Sequence, residues 1–233
     1  IRHQPCSTSR RRSKPWSGPQ QTESASTVIA KLFHDWERRL ADVSKDRVVR
    51  PFDWGTDWLP SGNQTDDPPL SQVSRWVDQV MADSSRFFAL PATPQFTLTP
   101  PTAEQRASGE GGLLTFASAF TTPHPDNNIV RARWFPAAGE APLDTTGVTR
   151  GPAVLVLPQW NSDAEGHIGL AKLLAKFGIS ALRLSLPYHD ARMPPELSRA
   201  DYIVSSNIVR TVQVCRQAVL DARAAVAWLN AQG

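Results

Sequence analysis

Cysteine is almost missing from this chain: Cys6 and Cys215 are the only two in 233 residues. One lies in a stretch expected to be a tail and the other on a helix face, so no disulfide is expected. Long apolar runs are missing too. Nothing approaches the roughly 18 consecutive apolar residues of a spanning helix, so no membrane span is expected and the body reads as soluble and cytoplasmic. Neither a G-x-G-x-x-G turn nor a P-loop occurs, which removes the backbone cradle that a nucleotide-binding domain of the Rossmann type brings to phosphate. Acidic residues are absent before Glu23. The net charge of +3 traces to Arg2, Arg10, Arg11, Arg12 and Lys14. With that cluster set aside the body is near neutral, and no nucleic-acid partner is expected. No internal repeat is present.

What remains is an ordinary globular composition, 40% hydrophobic and 20% charged, enough for one substantial domain with a real core. The 20 prolines lie mostly before residue 153, so the front half is expected to hold much irregular chain. Residues 1–26, rich in Arg, Ser, Gln and Pro, lack apolar periodicity and read as a disordered basic tail. The arginine cluster leaves a localisation signal or a transit peptide open beside the plain reading of a solvated tail. Residues 27–112 read as a helical, Trp-rich extension and linker. Ile29, Leu32, Phe33, Trp36, Leu40 and Val43 keep helical spacing in it, and a second helix starts near Ser71. Trp54 and Trp58 fit either a sugar- or acyl-stacking surface or anchors for an extended segment.

Residues 113–233 read as α/β. Strands are expected at 113–121 and 129–135, forming an antiparallel hairpin across the connector that holds His124 and Asp126. Those two residues suggest a dyad or metal ligands, though the prolines and asparagines around them fit a turn. The run AVLVL at 153–157 reads as a strand buried on both faces. Ser162 and Glu165 have the spacing of a capping box, and Leu170, Leu173, Leu174 and Phe177 form one apolar stripe before Gly178. A second strand is expected at 179–186, then a polar loop and a long helix. Val204, Ile208, Val212, Cys215, Val219, Ala222, Val226 and Leu229 make the clearest apolar stripe of the chain along that helix, with Arg210, Gln213, Gln217 and Asp221 on other faces. Two strands joined by one helix make a right-handed parallel crossover, so a site is expected beyond the carboxyl ends of 153–157 and 179–186.

This order of elements resembles the first half of an α/β-hydrolase domain. The stretches TPHPDNNIVRARWFP, AVLVLPQWNSDAEGH, ALRLSLPYHDARMP and VRTVQVCRQAVLDARAAVAWL are similar to a bacterial α/β-hydrolase group of mostly unknown substrate. That group is related to the domain-containing-18 type and, more distantly, to dienelactone-hydrolase-like esterases. RVVRPFDWGTDWL is similar to its N-terminal extension, so the resemblance covers roughly residues 27 to 233. It implies an incomplete α/β-hydrolase fold, a mostly parallel sheet with an N-terminal antiparallel hairpin and helices on both faces.

The resemblance also implies a serine nucleophile on a G-x-S-x-G turn after the next strand, followed by an acid and a histidine. This chain has no G-x-S-x-G and stops directly after a helix, so it is read as the N-terminal part of a longer enzyme, with no catalytic residue of its own. Implied within the chain is one donor of the oxyanion hole, the backbone N–H of Trp160, with Gln159 as second choice. Asn161, Tyr188, His189, Asp190 and Arg192 are expected to line the substrate crevice. Next to Asp190, His189 suggests a dyad, but neighbours on extended chain point apart, which leaves substrate contact or loop fixing. Asp163, Glu165 and His167 suggest a metal by composition; acids favourable to a helix dipole explain the carboxylates without one, and neither metal nor cofactor is expected. The expected partner is a small ester or acyl substrate of the full-length enzyme. A catalytically dead binding or scaffold protein is the alternative, and oligomeric state is not legible.

Overall fold

A computed structural model describes residues 25–43, 50–137 and 151–232. The chain divides into two units, 1–49 and 50–233. The described part of the first is one helix, α1 (Ala25–Val43), with Ile29, Leu32, Phe33, Trp36 and Leu40 exposed. Residues 1–24 of the expected tail, Cys6 among them, lie outside the described residues, as does most of the linker expected at 136–151; Ala25 and Ser26, placed in the tail, belong to α1.

In the second unit, helix α2 (Pro69–Ala82) and a short turn of helix, α3 (Ser84–Phe87), are followed by strand β1 (Phe96–Thr99) and helix α4 (Ala103–Ala107). Then come β2 (Gly112–Ala117), β3 (Ile129–Phe135), β4 (Ala153–Val156), α5 (Ile168–Lys176), β5 (Ser180–Leu184) and the long α6 (Ile208–Ala231). The five strands form one mixed sheet in the order β1-β2-β3-β5-β4. β1, β2, β3 and β5 pair antiparallel in turn, and β4 pairs parallel to β5, Leu155 opposite Leu182. The fold is therefore mixed α/β, and the two strands of the crossover are neighbours running the same way.

Side-chain alternation sorts the layers. Trp134, Leu182 and Leu184 face α6, where Ala224, Ala225 and Trp228 pack on them. Phe135, Ala181 and Val156 face α5, against Ile168, Ala171 and Ala175. Trp134 and Trp228 meet edge to face, centroids 5.4 Å apart.

Four sequence expectations are corrected. The stretch 96–99, placed in a linker, pairs with β2, so the sheet starts in front of residue 113. α5 begins at Ile168 rather than at Ser162, and its cap position is His167 at φ 67°, with no side-chain cap. Ser162 and Asp163 instead turn the preceding loop: the Glu165 N–H donates to Asp163 Oδ1 at 3.1 Å. β4 is not buried on both faces, because it is the edge strand among the described residues, with Ala153 and Val154 exposed. And α6 turns its other face inward. Ile208, Val212, Val219 and Val226 are 37–42% exposed, whereas Gln213, Gln217 and Asp221 are buried with Val209, Leu220 and Trp228. Those polar side chains are hydrogen-bonded, which is what makes their burial tolerable: Gln213 Nε2 donates to Trp58 O, Gln217 Nε2 to Ser118 Oγ, and Asp221 accepts from Ser118.

Trp54 and Trp58 are packed, half-buried, against the α2 and α6 side of the molecule. The segment before them is clamped to the start of α6, with Asp53 N–H on Ser206 O and Ile208 N–H on Asp53 O. Gly55 sits at φ 70° against Asn207, and a Cβ there would lie 1.9 Å from Asn207 Oδ1.

Candidate functional site

The loops after β4 and β5 meet at one rim. Asn161 N–H donates to His189 Nε2 at 2.9 Å, and Asn161 Oδ1 accepts from Ala200 N–H at 3.1 Å. Since a backbone N–H can only donate, Nε2 of His189 is bare, so Nδ1 carries the proton and donates to Pro187 O at 2.8 Å. His189 is fully buried, and burial pushes its imidazole below the ordinary value. It is a neutral tie between two loops. No dyad forms with Asp190, whose carboxylate holds Arg183 and accepts from Ser185 Oγ.

The other residues expected in the crevice also act from beneath. Tyr188 is fully buried; its hydroxyl lies 3.0 Å from His124 Nδ1, and burial pushes its phenol up to about 12. The Arg192 guanidinium, also fully buried, donates to Ser185 O, to Asn127 O and to Asp221 Oδ2 at 2.8 Å. It thereby ties the β5 loop to the β2–β3 connector and to α6. Burial pulls this guanidinium down and pushes the Asp221 carboxyl up.

What the rim exposes is the stretch Gln159-Trp160-Asn161. Trp160 is 48% exposed, anchored by its indole N–H on Ala200 O at 3.1 Å, with the Arg199 guanidinium 5.1 Å from its ring centre. Among the described residues no group accepts from the backbone N–H of Gln159 or of Trp160, whereas the next donor, on Asn161, is committed to His189. The start of α5 lies beyond this loop at Ile168, so its dipole, which fades within a turn, does not reinforce them.

Three residues of this rim have a left-handed backbone without being glycine: Asn161 (φ 60°), Tyr188 (φ 62°) and Asp190 (φ 51°); His167 (φ 67°) follows on the β4 loop. Such conformations cost about 1–3 kcal/mol each and cluster where structure is spent on function. Asn161, Asp190 and His167 are residue types that enter this region more readily than most, whereas Tyr188 is not.

His124, read as turn chemistry, gains two partners: Tyr188, and Glu196, whose Oε1 lies 3.1 Å from His124 Nε2. Its spacing from Glu196 in the chain gave no signal of that. Asp163, Glu165 and His167 do not gather. Among the described residues no group of three His, Cys, Asp or Glu side chains could hold a metal, and no helix is long and apolar enough to cross a membrane. In comparisons with known proteins, no family model and no curated protein matches this chain.

Proposed function

We propose that this chain is the N-terminal part of a serine-dependent α/β-hydrolase acting on a carboxylic ester or a related acyl compound. The supporting observation is the pair of free N–H groups on Gln159 and Trp160, at the carboxyl end of a parallel strand and beside the loop of its parallel neighbour. That is where an acyl oxyanion gains charge-assisted hydrogen bonds, and where ligands meet open α/β sheets. Losing one such donor typically costs 100- to 1,000-fold in rate, so a loop held by His189 and Ala200 has a reason to be rigid.

In this reading the serine, its acid and its histidine lie outside these 233 residues. The serine, giving its proton to histidine, attacks the ester carbonyl while the Trp160 or Gln159 N–H stabilises the oxyanion; collapse breaks the ester C–O bond, the alcohol leaves with the histidine's proton, and water then hydrolyses the acyl-enzyme to the acid. Trp160 forms an apolar wall beside the acyl group. A fluorophosphonate probe tests the reading. The 233-residue chain is expected to remain unlabelled and the polypeptide translated to its stop codon to take one label on serine. Stoichiometric labelling of the short chain, or none of the long one, overturns it, and the second result points to a binding or scaffold protein.

A further inference from the structure

The described part of the first unit is a helix with an exposed apolar stripe. In α1, Ile29, Phe33, Trp36 and Leu40 keep one face with Leu32 beside them, an arc of about 100°. All five are more than half exposed, from 53% at Ile29 to 65% at Leu32. Scattered apolar residues are ordinary on a surface, but five large ones in one stripe mark an interaction face. Phe33 and Trp36 meet edge to face within it, ring centroids 6.4 Å apart. The polar side of the helix is electrically balanced, Lys31, Arg38 and Arg39 against Asp35, Glu37 and Asp42. Arg38 pairs with Asp35 at 3.4 Å, and His34 lies 3.8 Å from Glu37. The sequence before the helix is not balanced: Arg2, Arg10, Arg11, Arg12 and Lys14 precede it with no acid before Glu23.

We propose that α1 lies in the surface of an anionic lipid bilayer, its apolar stripe at the boundary of headgroups and acyl chains and the basic cluster on the charged headgroups. It does not span: no described helix is long and apolar enough to cross a membrane, and α1 carries charge along its whole polar side. A helix that is strongly one-sided without being apolar overall rests in the interface plane. Trp36 suits that depth, with an apolar ring body and one N–H for the wet side. Arg39, one heptad after Leu32, flanks the stripe where its stem can lie along apolar surface while the guanidinium reaches the headgroups. The attraction of such a helix scales with its buried apolar area plus the pull of its charges toward anionic lipid. α1 supplies the first term, and the cluster before it supplies the second, each Lys or Arg held at an anionic surface adding about fivefold in affinity. Residues 15–24 separate Lys14 from Ala25, enough chain for both to reach one surface.

A second copy of α1 fits the stripe less well. Ile29, Phe33, Trp36 and Leu40 do alternate like a and d positions, but the 19 residues of α1 make fewer than three heptads, where a sustained coiled coil takes about three to four. With Phe33 and Leu40 at a, Leu32 and Arg39 fall at g and Glu37 at e, so a parallel partner sets Leu32 against Glu37 and gains no ion pair. A nucleic acid would meet the basic cluster and leave the stripe in water.

The test is flotation of the 233-residue chain with phosphatidylcholine vesicles that contain or lack phosphatidylglycerol, with the urea midpoint of every variant recorded alongside. Binding to the anionic vesicles is expected to be at least about 10-fold tighter and to weaken with salt. Leu32→Gln together with Leu40→Gln, and separately Arg10→Gln, Arg11→Gln and Arg12→Gln together, are each expected to weaken it by at least about 10-fold with the urea midpoint unchanged. Lys31→Gln, on the side of the helix away from the stripe, is expected to change it less than about threefold. Absent binding, equal binding to both vesicle types, or binding that survives the leucine substitutions overturns the proposal. So does a lowered urea midpoint in the leucine variant, which assigns the stripe to the folded core. Self-association without lipid that the same variant abolishes also overturns it, and makes the occupant a second copy.

Discussion

Arg192 carries the most informative substitution, because one side chain holds three pieces of the rim together. Arg192→Met keeps most of the volume and removes the charge. It strands the Asp221 carboxylate, fully buried beside it, with only the Ser118 hydroxyl as donor, and removes the donors to Asn127 O and Ser185 O. Removing one partner of a buried pair costs about 3–5 kcal/mol, and the Ser185 carbonyl, left without its donor, about 1–3 kcal/mol, while Asn127 O keeps the Gln217 amide; together this approaches the whole stability of a domain. The expected loss is at least about 4 kcal/mol in urea unfolding followed by tryptophan fluorescence. Arg192→Met with Asp221→Leu removes both charges. Since burial disfavours the ionised form of each partner, the double variant is expected to regain about 2–3 kcal/mol over the single one. A single-variant loss below about 1 kcal/mol, or a double variant less stable than the single, refutes this account of how the rim is held.

Three further predictions follow from particular positions. The raised Tyr188 phenol stays neutral in the folded state while the unfolded chain ionises above pH 10, so stability is complete below about pH 10 and falls by about 2–3 kcal/mol as pH rises to about 12; Tyr188→Phe is expected to lose that slope in pH-resolved urea titrations. The lowered His189 imidazole acts in the opposite direction. Its contribution is complete above about pH 6.5 and is lost as pH falls through its folded value, and His189→Gln is expected to flatten the acid side of the same stability curve. Gly55→Ala meets Asn207 as well as a left-handed backbone and is expected to cost more than about 2 kcal/mol, whereas Gly178→Ala, at φ 79° with open space around it, costs only about 1 kcal/mol; comparable losses at the two sites contradict the clamp at Asn207.

Much of this fold was legible because local pattern and final environment agree. The alternation of Val130, Ala132 and Trp134 with Arg131 and Arg133 gave β3 its bounds, since one face meets α6 and the arginines meet Glu110, Glu165 and the Ala191 carbonyl. The parallel pairing of β4 and β5 followed from two apolar runs spaced by a helix. The failures share one cause, polar groups whose partners are remote in sequence. Gln213 and Gln217 look like a wet face until Trp58 O and Ser118 Oγ, about a hundred or more residues away, accept from them. With that face turned inward, the stripe of valines that seemed to point at the core was left on the surface. β1 was hidden because the alternation of Phe96 and Leu98 with Thr97 and Thr99 is only four residues long and lies between Pro94 and Pro100, and its pairing with β2 is what makes Phe96–Thr99 a strand. At the rim, Gln159, Trp160 and Asn161 are exposed. Tyr188, His189 and Arg192 are held under the rim because their hydrogen bonds to Asn127, Asn161, Pro187 and Asp221 are satisfied there.

The most direct measurement of the central claim is the amide nitrogen and proton shift of Gln159, Trp160 and Asn161 in the polypeptide translated to its stop codon, before and after reaction with a fluorophosphonate. The account predicts that the amide of Trp160, or of Gln159, moves strongly downfield as it meets the phosphonyl oxygen, while that of Asn161 stays on His189. An adduct that leaves both the Trp160 and the Gln159 amides where they were contradicts it.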